Sequence, residues 1–312
     1  MEWQLTELVH DERIHPFVYK VMEQASLHGG DEKAHHAAKL LYRAVHAFRG
    51  FVACRGEQAE IAGVIFFTAP EIKLLFVVDG PRGSEMASAL IERALSVMRD
   101  EMECPFILFP FPRWISGEAC EECPQILARH GFTALSRVLM KASPAAIASS
   151  GSSEVNGQSG GEYRIEAWKE SIHRSIVLSL LREYPCTSLA SLLSDSSPQG
   201  LEWTASHLFS DPYGDPLFLP PECSSVALHG ARVVGAFLCS DSGLISLVVL
   251  HCAHRRKGFA RAMLGKAARA LVVLEAPALS ITVSREDGEG FQWACRAGFE
   301  PCEESTLYLW KK

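Results

Sequence analysis

Apolar and polar residues follow one another along this chain with the two periods that distinguish strands from helices. In the second half, runs in which every other residue is apolar predict strands, and apolar residues three and four positions apart predict helices. The predicted strands of this half are Tyr163–Trp168, Ser224–Leu228, Val233–Cys239, Leu244–His251, Ala278–Ser284 and Ser305–Trp310. Its predicted helices are Ser171–Glu183, Leu201–Phe209, Lys257–Leu274 and Gly288–Ala297.

The first half runs through a similar order of elements. Its predicted strands are Glu2–Val9, Phe51–Arg55, Ile61–Phe67, Ile72–Val78, Phe106–Phe109 and Leu135–Lys141. Its predicted helices are Pro16–Leu27, Asp31–Phe48, Ser84–Met102 and Glu118–His130. Both halves close alike, because Gly131-Phe132 and Gly298-Phe299 each lead into a final strand. The pattern predicts an α+β (mixed α/β) fold of two tandem units, each a twisted mixed sheet flanked by helices.

A stretch rich in serine and glycine separates the two halves. Ser143–Gly161 holds few residues that could pack, and composition of this kind stays flexible and solvated. The sequence therefore predicts one domain at residues 1–142 and another at 162–312, joined by a flexible linker at 143–161. A length of 312 residues fits two domains of ordinary size.

The composition excludes several classes of protein. Apolar residues make up 48% of the chain and charged residues 21%, which is enough to bury a full core and excludes a disordered or fibrous chain. A formal net charge of -7 argues against a general nucleic-acid binder. The sequence shows neither an apolar run near the ~20 residues of a membrane-spanning helix nor the basic, apolar start of a signal peptide. We therefore predict a cytoplasmic protein with no nucleic-acid or membrane partner.

Ten cysteines are scattered through the chain without a secretory context, which predicts reduced and mostly buried thiols. The one close pair is Cys120 and Cys123. A zinc site would need a second pair or histidines at ligand spacing, and neither follows. The sequence therefore predicts no metal.

The segment between the strand ending near Leu250 and the helix that follows has the features of a phosphate-binding turn. A helix start presents unpaired backbone N–H groups and the positive end of the helix dipole. Gly258 lets an anion approach the backbone, and Ala260 keeps the next position small. Three consecutive cations precede the glycine: Arg255, Arg256 and Lys257. The alternative is a solvated basic helix start with Gly258 as an ordinary turn residue.

The motif Arg-x-x-Gly-x-Ala in this context resembles the GNAT superfamily of acyl-coenzyme A-dependent N-acetyltransferases, over roughly residues 162–312. Cys252 stands where many relatives have a proline. The resemblance implies acetyl-coenzyme A as co-substrate, with its pantetheine arm on the backbone of Val248, Val249 and Leu250. It also implies that the pyrophosphate is held by amides of the following segment: Arg255, Arg256, Lys257, Gly258, Phe259, Ala260 and Arg261.

The first half is similar to a degenerate copy of this GNAT-like domain, because it has no clean Arg-x-x-Gly-x-Ala motif. When Leu90 is matched to Leu264, Ser84 falls at the place of Gly258. The acidic side chains nearby, Asp79 and Glu85, would repel an anion. We expect this half to bind coenzyme A poorly or not at all and to have a structural or substrate-facing role.

The catalytic groups are less clearly marked than the cofactor site. Many relatives carry a tyrosine as general acid where this chain has Ala294, and a frequent asparagine is replaced by Gly288. The remaining candidates for proton transfer are Ser284, which ends a strand, and Asp287, which begins a helix. Each has a structural alternative, since Ser284 suits a strand-end hydrogen bond and Asp287 suits a helix N-cap.

Two further side chains near the motif are predicted to have structural roles. His251 is expected to pack, and Cys295 is expected to be a buried, small apolar residue with no role as a nucleophile. The loop Asp211–Pro221 either covers the acceptor side or is a plain surface loop.

The resemblance therefore implies an enzyme that transfers an acetyl group to a primary amine by direct attack. The acceptor is a small molecule or a peptide amine of unknown identity, and a homodimer stays open. The competing interpretation is a non-catalytic protein that binds coenzyme A or uses the fold for interaction, and a longer acyl group is a third alternative.

Overall fold

The computed structural model describes most of the chain, in two compact units. The first unit comprises Met1–Leu135 with Ser305–Lys312, and the second comprises Ser136–Glu304. The described residues are 3–8, 16–21, 23, 48–55, 60–78, 82–104, 106–111, 122–150, 163–183, 209 and 217–311. Both units contain mixed sheets with helices, which confirms the predicted α+β class.

The first unit is a sheet that begins as an antiparallel meander. Its strands are β1 (Trp3–Glu7), β2 (Arg49–Arg55), β3 (Glu60–Thr68), β4 (Glu71–Val77) and β5 (Phe106–Phe111). They lie in this order, and only β4 and β5 run parallel. Its helices are α1 (Gly83–Ser96), which continues as a π-turn over Val97–Glu101, and α2 (Cys123–Arg129). Helix α1 buries residues three and four apart against the sheet, including Met86, Leu90 and Ile91.

The second unit repeats this plan with a second set of strands. Its strands are β6 (Thr133–Ala142), β7 (Tyr163–Ala167), β8 (Ser225–His229), β9 (Arg232–Cys239), β10 (Leu244–Leu250) and β11 (Leu279–Ser284), and the chain closes with β12 (Glu300–Lys311). The sheet order is β6-β11-β10-β9-β8-β7, and only β10 and β11 are parallel. The helices are α3 (Pro144–Ser150), α4 (Glu170–Glu183), α5 (Phe259–Val273) and α6 (Gly288–Arg296).

Helices α4 and α5 pack on opposite faces of the second sheet. Side chains of α4 share a core with Val233, Ala236 and Leu238 of β9. The alternate residues of the same strand, such as Val234 and Phe237, pack with α5. Because side chains of a strand alternate between faces, the two cores lie on the two sides of one layer. The sheet therefore holds the start of α5 in a fixed place.

The two halves of the sequence exchange their last strands. Strand β6 ends the first half of the sequence, yet from Ser136 it belongs to the second unit, where it pairs antiparallel with β11. From Ser305, strand β12 belongs to the first unit, where it pairs antiparallel with β5. The compact units thus divide the chain at other places than the predicted boundaries at 142 and 162, because hydrophobic periodicity marks a strand but not its pairing partner.

Part of the predicted linker is a helix. Helix α3 buries Ile147 and contacts α5. Its Pro-Ala-Ala-Ile-Ala sequence has proline at the start and good helix formers after it, a local signal that the Ser/Gly composition of the whole stretch conceals. Linker residues 151–161 lie outside the described residues.

Several other predicted elements differ at their ends or are not described. The predicted final strand Ser305–Trp310 begins at Glu300, and the predicted helix Glu118–His130 begins at Cys123. Residues 16–21 of the predicted helix Pro16–Leu27 are helical. Nearly all of the predicted helices Asp31–Phe48 and Leu201–Phe209 lies outside the described residues, as does loop 211–216.

We expect the stability of the second unit to fall at acidic pH, in part through His173. This side chain is buried in α4, and its Nδ1 accepts the backbone N–H of Lys169 at 3.0 Å. Burial lowers the pKa of His173, while Glu166 opposes and Lys169 adds to that shift. The unfolded chain therefore takes up a proton near about pH 6.5 that the folded chain resists, so stability is full above that pH and is lost below it.

Thermal unfolding at about pH 7.5 and about pH 5.5 tests this expectation. The wild type should lose more Tm on acidification than His173→Asn, which keeps an acceptor at the place of Nδ1 but cannot titrate. His173→Ala, which leaves the Lys169 N–H without that acceptor, should have a lower Tm at both pH values. An equal loss of Tm in the wild type and His173→Asn would contradict the prediction.

Candidate functional site

The parallel strands β10 and β11 part soon after they begin. Their ladder joins Leu244 to Ser280 and Ile245 to Ile281, and within these two fully described strands it goes no further. On its other side β10 stays paired with β9 as far as Leu250. A fork therefore opens between β10 and β11, and Val248, Val249 and Leu250 lie in its open part.

Gly258 caps α5 in a conformation that favours glycine. Its φ is 85°, in the left-handed region, and no side chain caps the helix there. A Cβ atom built on Gly258 would meet nothing within 4 Å. The Ala262 N–H donates to the Gly258 carbonyl at 2.9 Å, so the amides of the first turn before it have no partner inside the helix. The turn presents N–H groups to open space.

This turn fits a diphosphate group. The space above Gly258 is open, the first-turn amides of α5 lack helical partners, and the positive end of the helix dipole points there. The turn also follows directly from the fork, because β10 ends at Leu250 and α5 begins at Phe259. A phosphate bound at the turn and a chain lying in the fork would be adjacent.

The Arg255 side chain fixes the turn. Its Nη1 donates to Glu289 of α6 at 3.0 Å, and its Nε donates to the Leu250 carbonyl at 3.4 Å. The guanidinium therefore ties the end of β10 to α6, and its charge is balanced by a carboxylate.

Lys257 is held by a cluster of aromatic and imidazole rings beside the turn. Its Nζ donates to the Tyr163 hydroxyl at 2.7 Å and lies 4.8 Å from the centre of that ring. The same hydroxyl is 3.3 Å from Nδ1 of His254. The rings in contact are those of Tyr163, His229, His251, His254 and Phe259. Burial first, and then the neighbouring imidazoles and cations, lower the pKa of His254.

Arg261 and Arg256 differ in their contacts. Arg261 Nη2 donates to the Ser150 carbonyl at 3.1 Å and lines a cavity of about 180 Å³ together with Arg296 and Gly298. Arg256 is exposed, has a left-handed φ of 63°, and makes no hydrogen bond or ion pair within the described part of the chain. Among the predicted cofactor-binding cations, Arg256 has the side chain best placed to turn toward an anion.

Ser284 and Asp287 both have structural partners. The Ser284 hydroxyl is buried, lies 3.2 Å from the Ser136 carbonyl, and donates to the Glu286 carboxylate. Glu286 also accepts the Ser136 N–H at 3.2 Å, and the Ser284 hydrogen bond is the largest cause of its lowered pKa. Asp287 caps α6 by accepting the Gly290 N–H at 2.9 Å. The strand-end bond and the N-cap are thus both present, and the catalytic roles of these residues stay predictions.

The reading of Cys295 as buried is wrong, because its side chain is exposed on the outer face of α6. The other cysteines of the described residues are mostly buried, as expected. His251 caps the short 3-10 turn Cys252–His254, with Nδ1 accepting the Ala253 N–H at 3.1 Å. Among the residues that the structure describes, no group of His, Cys, Asp and Glu side chains could hold a metal ion.

Sequence reasoning missed three residues of this region. Glu286 lies between the two predicted catalytic residues, and its charge beside a strand end was a signal for it. Tyr163 was recognised only as the start of a strand, although its ring contacts the turn. Ser246 sits in a bulge of β10, and its buried Oγ has no hydrogen-bond partner in the described residues. A bulge leaves no mark in hydrophobic alternation, so no signal pointed to Ser246.

The first unit has a similar fork but a different turn. Strands β4 and β5 pair in parallel only at Glu71 and Leu108. Helix α1 is capped by Arg82, whose φ of 76° is left-handed, and Arg82 pairs with Glu85 at 2.9 Å. When the N-caps of α1 and α5 are matched, Arg82, and not Ser84, corresponds to Gly258. Asp79 lies outside the described residues.

The comparisons with known proteins rest on structure alone. No protein-family model matches the sequence, and no curated protein gives a significant match. No helix in the described residues is both long enough and apolar enough to cross a lipid bilayer.

Several solved structures are similar along the whole chain. A GCN5-related N-acetyltransferase from Sphaerobacter thermophilus is 12% identical, with a TM-score of 0.59 and coverage of 99% of this chain and 95% of that chain. A tandem GNAT protein from the clavulanic acid biosynthesis pathway is 14% identical, with a TM-score of 0.55 and coverage of 99% and 98%. A glucosamine N-acetyltransferase region of a fungal multi-domain beta-N-acetylglucosaminidase is 12% identical, with a TM-score of 0.62, and this chain spans 38% of its length.

At these identities the likeness establishes architecture. It extends over both units, and it includes a protein in which two such domains follow one another. This chain therefore has the fold of the GCN5-related N-acetyltransferases, in its tandem form.

Proposed function

We propose that the second unit binds acetyl-coenzyme A and transfers its acetyl group to a primary amine by direct attack. The observation that carries this proposal is the open, left-handed turn at Gly258, which follows directly from the fork between β10 and β11. The fold supports acetyltransferase chemistry in general, and the turn gives the reason to place the co-substrate in this unit.

The residues divide the binding of the co-substrate between backbone and side chains. Within the predicted set Arg255–Arg261, the backbone amides from Arg256 to Arg261 would hold the diphosphate at the start of α5, with the exposed Arg256 side chain adding a charge. The backbone edge of Val248, Val249 and Leu250 would meet the pantetheine arm in the fork. Lys257 would act through its amide, because its side chain is already held. Arg255 would act by fixing the turn, because its side chain is held by Glu289 and its own amide already donates to the Cys252 carbonyl at 3.2 Å.

Direct attack asks little of the protein beyond orientation. A neutral amine attacks a thioester readily once both are held in line. Orientation alone can remove a large part of the activation barrier. Ser284 would relay the proton of the acceptor amine: its oxygen accepts that proton, directly or through a water, while its own proton passes to the Glu286 carboxylate. Asp287 would act from the start of α6, where it also holds the helix.

The second candidate is a non-catalytic protein that binds coenzyme A or uses the fold for interaction. One observation favours it: Ala294 is fully buried in α6, where relatives of this fold often carry the tyrosine that serves as general acid. Both candidate functions agree with the predicted cytoplasmic location. The catalytic one takes a small-molecule or peptide amine and needs neither nucleic acid nor membrane.

We expect the wild type to bind acetyl-coenzyme A in calorimetric titration, and Gly258→Glu to bind at least about 100-fold more weakly. The substitution places a carboxylate where the diphosphate would lie, and like charges at this range repel strongly. Gly230→Glu is the matched control, because Gly230 also has a positive φ of 60° and open space around its Cβ but lies in the β8–β9 turn. It should bind like the wild type.

The outcomes separate the candidates. Absence of binding by the wild type would remove both ligand-based functions. Binding without release of free thiol, over a panel of primary amines, would favour the non-catalytic candidate.

Titration should also give a stoichiometry of one coenzyme A per chain. The first unit caps α1 with Arg82, paired with Glu85, so a side chain and a carboxylate stand at the place of the open turn. Arg82→Gly combined with Glu85→Ala tests whether these two groups are what blocks a second equivalent. A stoichiometry of two in the wild type would show that the first unit is not degenerate in binding.

Ser284→Ala should lower kcat/KM for the amine by about 10²-fold with an unchanged Kd for acetyl-coenzyme A, because proton transfer and not cofactor binding is affected. Asp287→Ser keeps a good N-cap without a carboxylate, so it should keep the Tm of the wild type. If the Tm is unchanged, the difference in kcat/KM between Asp287→Ser and the wild type, measured at one temperature, shows how much Asp287 adds to proton transfer. An unchanged kcat/KM in Ser284→Ala would remove Ser284 from the mechanism.

A further inference from the structure

Ser246 lies at the point where the fork opens. The last pair of the parallel ladder is Ile245 with Ile281, and Ser246 is the next residue of β10. On the other edge of β10, Ile245 pairs with Cys239 and Leu247 with Leu238, so Ser246 is the extra residue of a β-bulge. A bulge turns a strand and re-aims the side chain that it carries. Ser246 is therefore at the apex of the fork and outside the regular alternation of the strand.

The Ser246 hydroxyl is buried without a partner. Its Oγ makes no hydrogen bond within the described residues. Two other buried serines of the same unit are satisfied: the Ser224 Oγ donates to the Cys239 carbonyl at 2.9 Å, and the Ser240 Oγ lies 2.8 Å from that of Ser242. A buried hydroxyl without a partner is destabilising, and such groups in native proteins call for an explanation such as a catalytic role.

A hydrogen-bond donor at the fork would speed the transfer of an acyl group from a thioester. Negative charge develops on the carbonyl oxygen as the amine attacks, and a hydrogen-bond donor fixed in a dry site stabilises that charge strongly. A pantetheine arm lying in the fork would bring its thioester toward the apex, where the two strands converge. The unpartnered hydroxyl is the donor that this position supplies.

We infer that Ser246 is a catalytic residue, whose hydroxyl donates a hydrogen bond to the carbonyl oxygen of the thioester. This inference rests on the proposed function of the same site. The nitrogen lone pair of the amine forms the new bond to the carbonyl carbon, and the displaced pair goes to the oxygen that Ser246 holds. When that pair returns, the C–S bond breaks and its electrons leave with the sulfur of coenzyme A. The amine gives up one proton through Ser284, the thiolate takes one from solvent, and the Ser246 proton is not transferred.

Ser225 provides a matched control for the loss of the hydroxyl. It is also buried, on β8, and its Oγ also lacks a partner in the described part of the chain. Strand β8 does not border the fork, because it pairs with β7 and β9. Ser246→Ala and Ser225→Ala therefore remove the same group from similar surroundings, and both should keep or raise the Tm. Only the first should affect the reaction.

The test compares a ligand that carries a carbonyl next to the sulfur region with one that carries none. S-(2-oxopropyl)-coenzyme A has a ketone carbonyl one methylene further from the sulfur than the carbonyl of acetyl-coenzyme A and cannot transfer it, and free coenzyme A has no such group. Calorimetry should show that Ser246→Ala weakens the carbonyl analogue about 10-fold while leaving coenzyme A unchanged. The same variant should lose about 10²-fold in kcat with amine. Ser225→Ala should match the wild type in all three measurements.

The results distinguish this inference from the proposed function. If the wild type binds neither ligand, the proposed function fails and the role of Ser246 fails with it. If the wild type binds both and Ser246→Ala behaves as Ser225→Ala does, the role of Ser246 alone is refuted. Ser246→Thr keeps a hydroxyl and gives a second measure should the alanine variant not fold. It should retain the preference for the carbonyl analogue, and loss of that preference in a folded Thr variant would also overturn the inference.

Discussion

The parting of β10 from β11 is the constraint on which the second unit's site depends. Strand β10 cannot follow both neighbours, since it keeps its antiparallel ladder with β9 to Leu250 while its parallel ladder with β11 ends at Ile245. The bulge at Ser246 adds a residue and turns the strand at that point. Because both strands run the same way, the fork opens at the end where β10 leads into α5. The cleft and the start of α5 thus lie together at the carboxyl ends of these two strands.

The charged side chains around Gly258 mainly build the turn. Arg255 is tied to Glu289 and to the end of β10, and Lys257 is tied to Tyr163, whose ring packs on Phe259. With these two side chains held, the groups left to meet an anion are the exposed Arg256 side chain and backbone amides, whose direction is set by the helix itself. The proposed anion site would therefore need no broad basic surface, which agrees with the net charge of -7 of this chain.

Local signals made the turn predictable, and non-local pairing made the rest hard to predict. Gly258, with a buried strand before it and an amphipathic helix after it, is visible in a dozen residues. The exchange of β6 and β12 between units depends on which edges pair, and a period of two is the same for any partner. The bulge at Ser246 is a defect of register that no composition records. Matching Leu90 to Leu264 placed the first-half turn at Ser84. The N-cap of α1 is Arg82, two residues earlier, because buried leucines recur along a helix and do not fix where it begins.

The two units show which feature of the turn is tied to the fold and which is open to function. Both strand-to-helix turns end in a left-handed residue, with φ of 76° at Arg82 and 85° at Gly258. A non-glycine residue there costs roughly 1–2 kcal/mol, and the first unit accepts that cost. The two turns therefore share this backbone shape although their sequences differ. Glycine at 258 adds one thing that Arg82 cannot, which is the absence of a side chain above the amides.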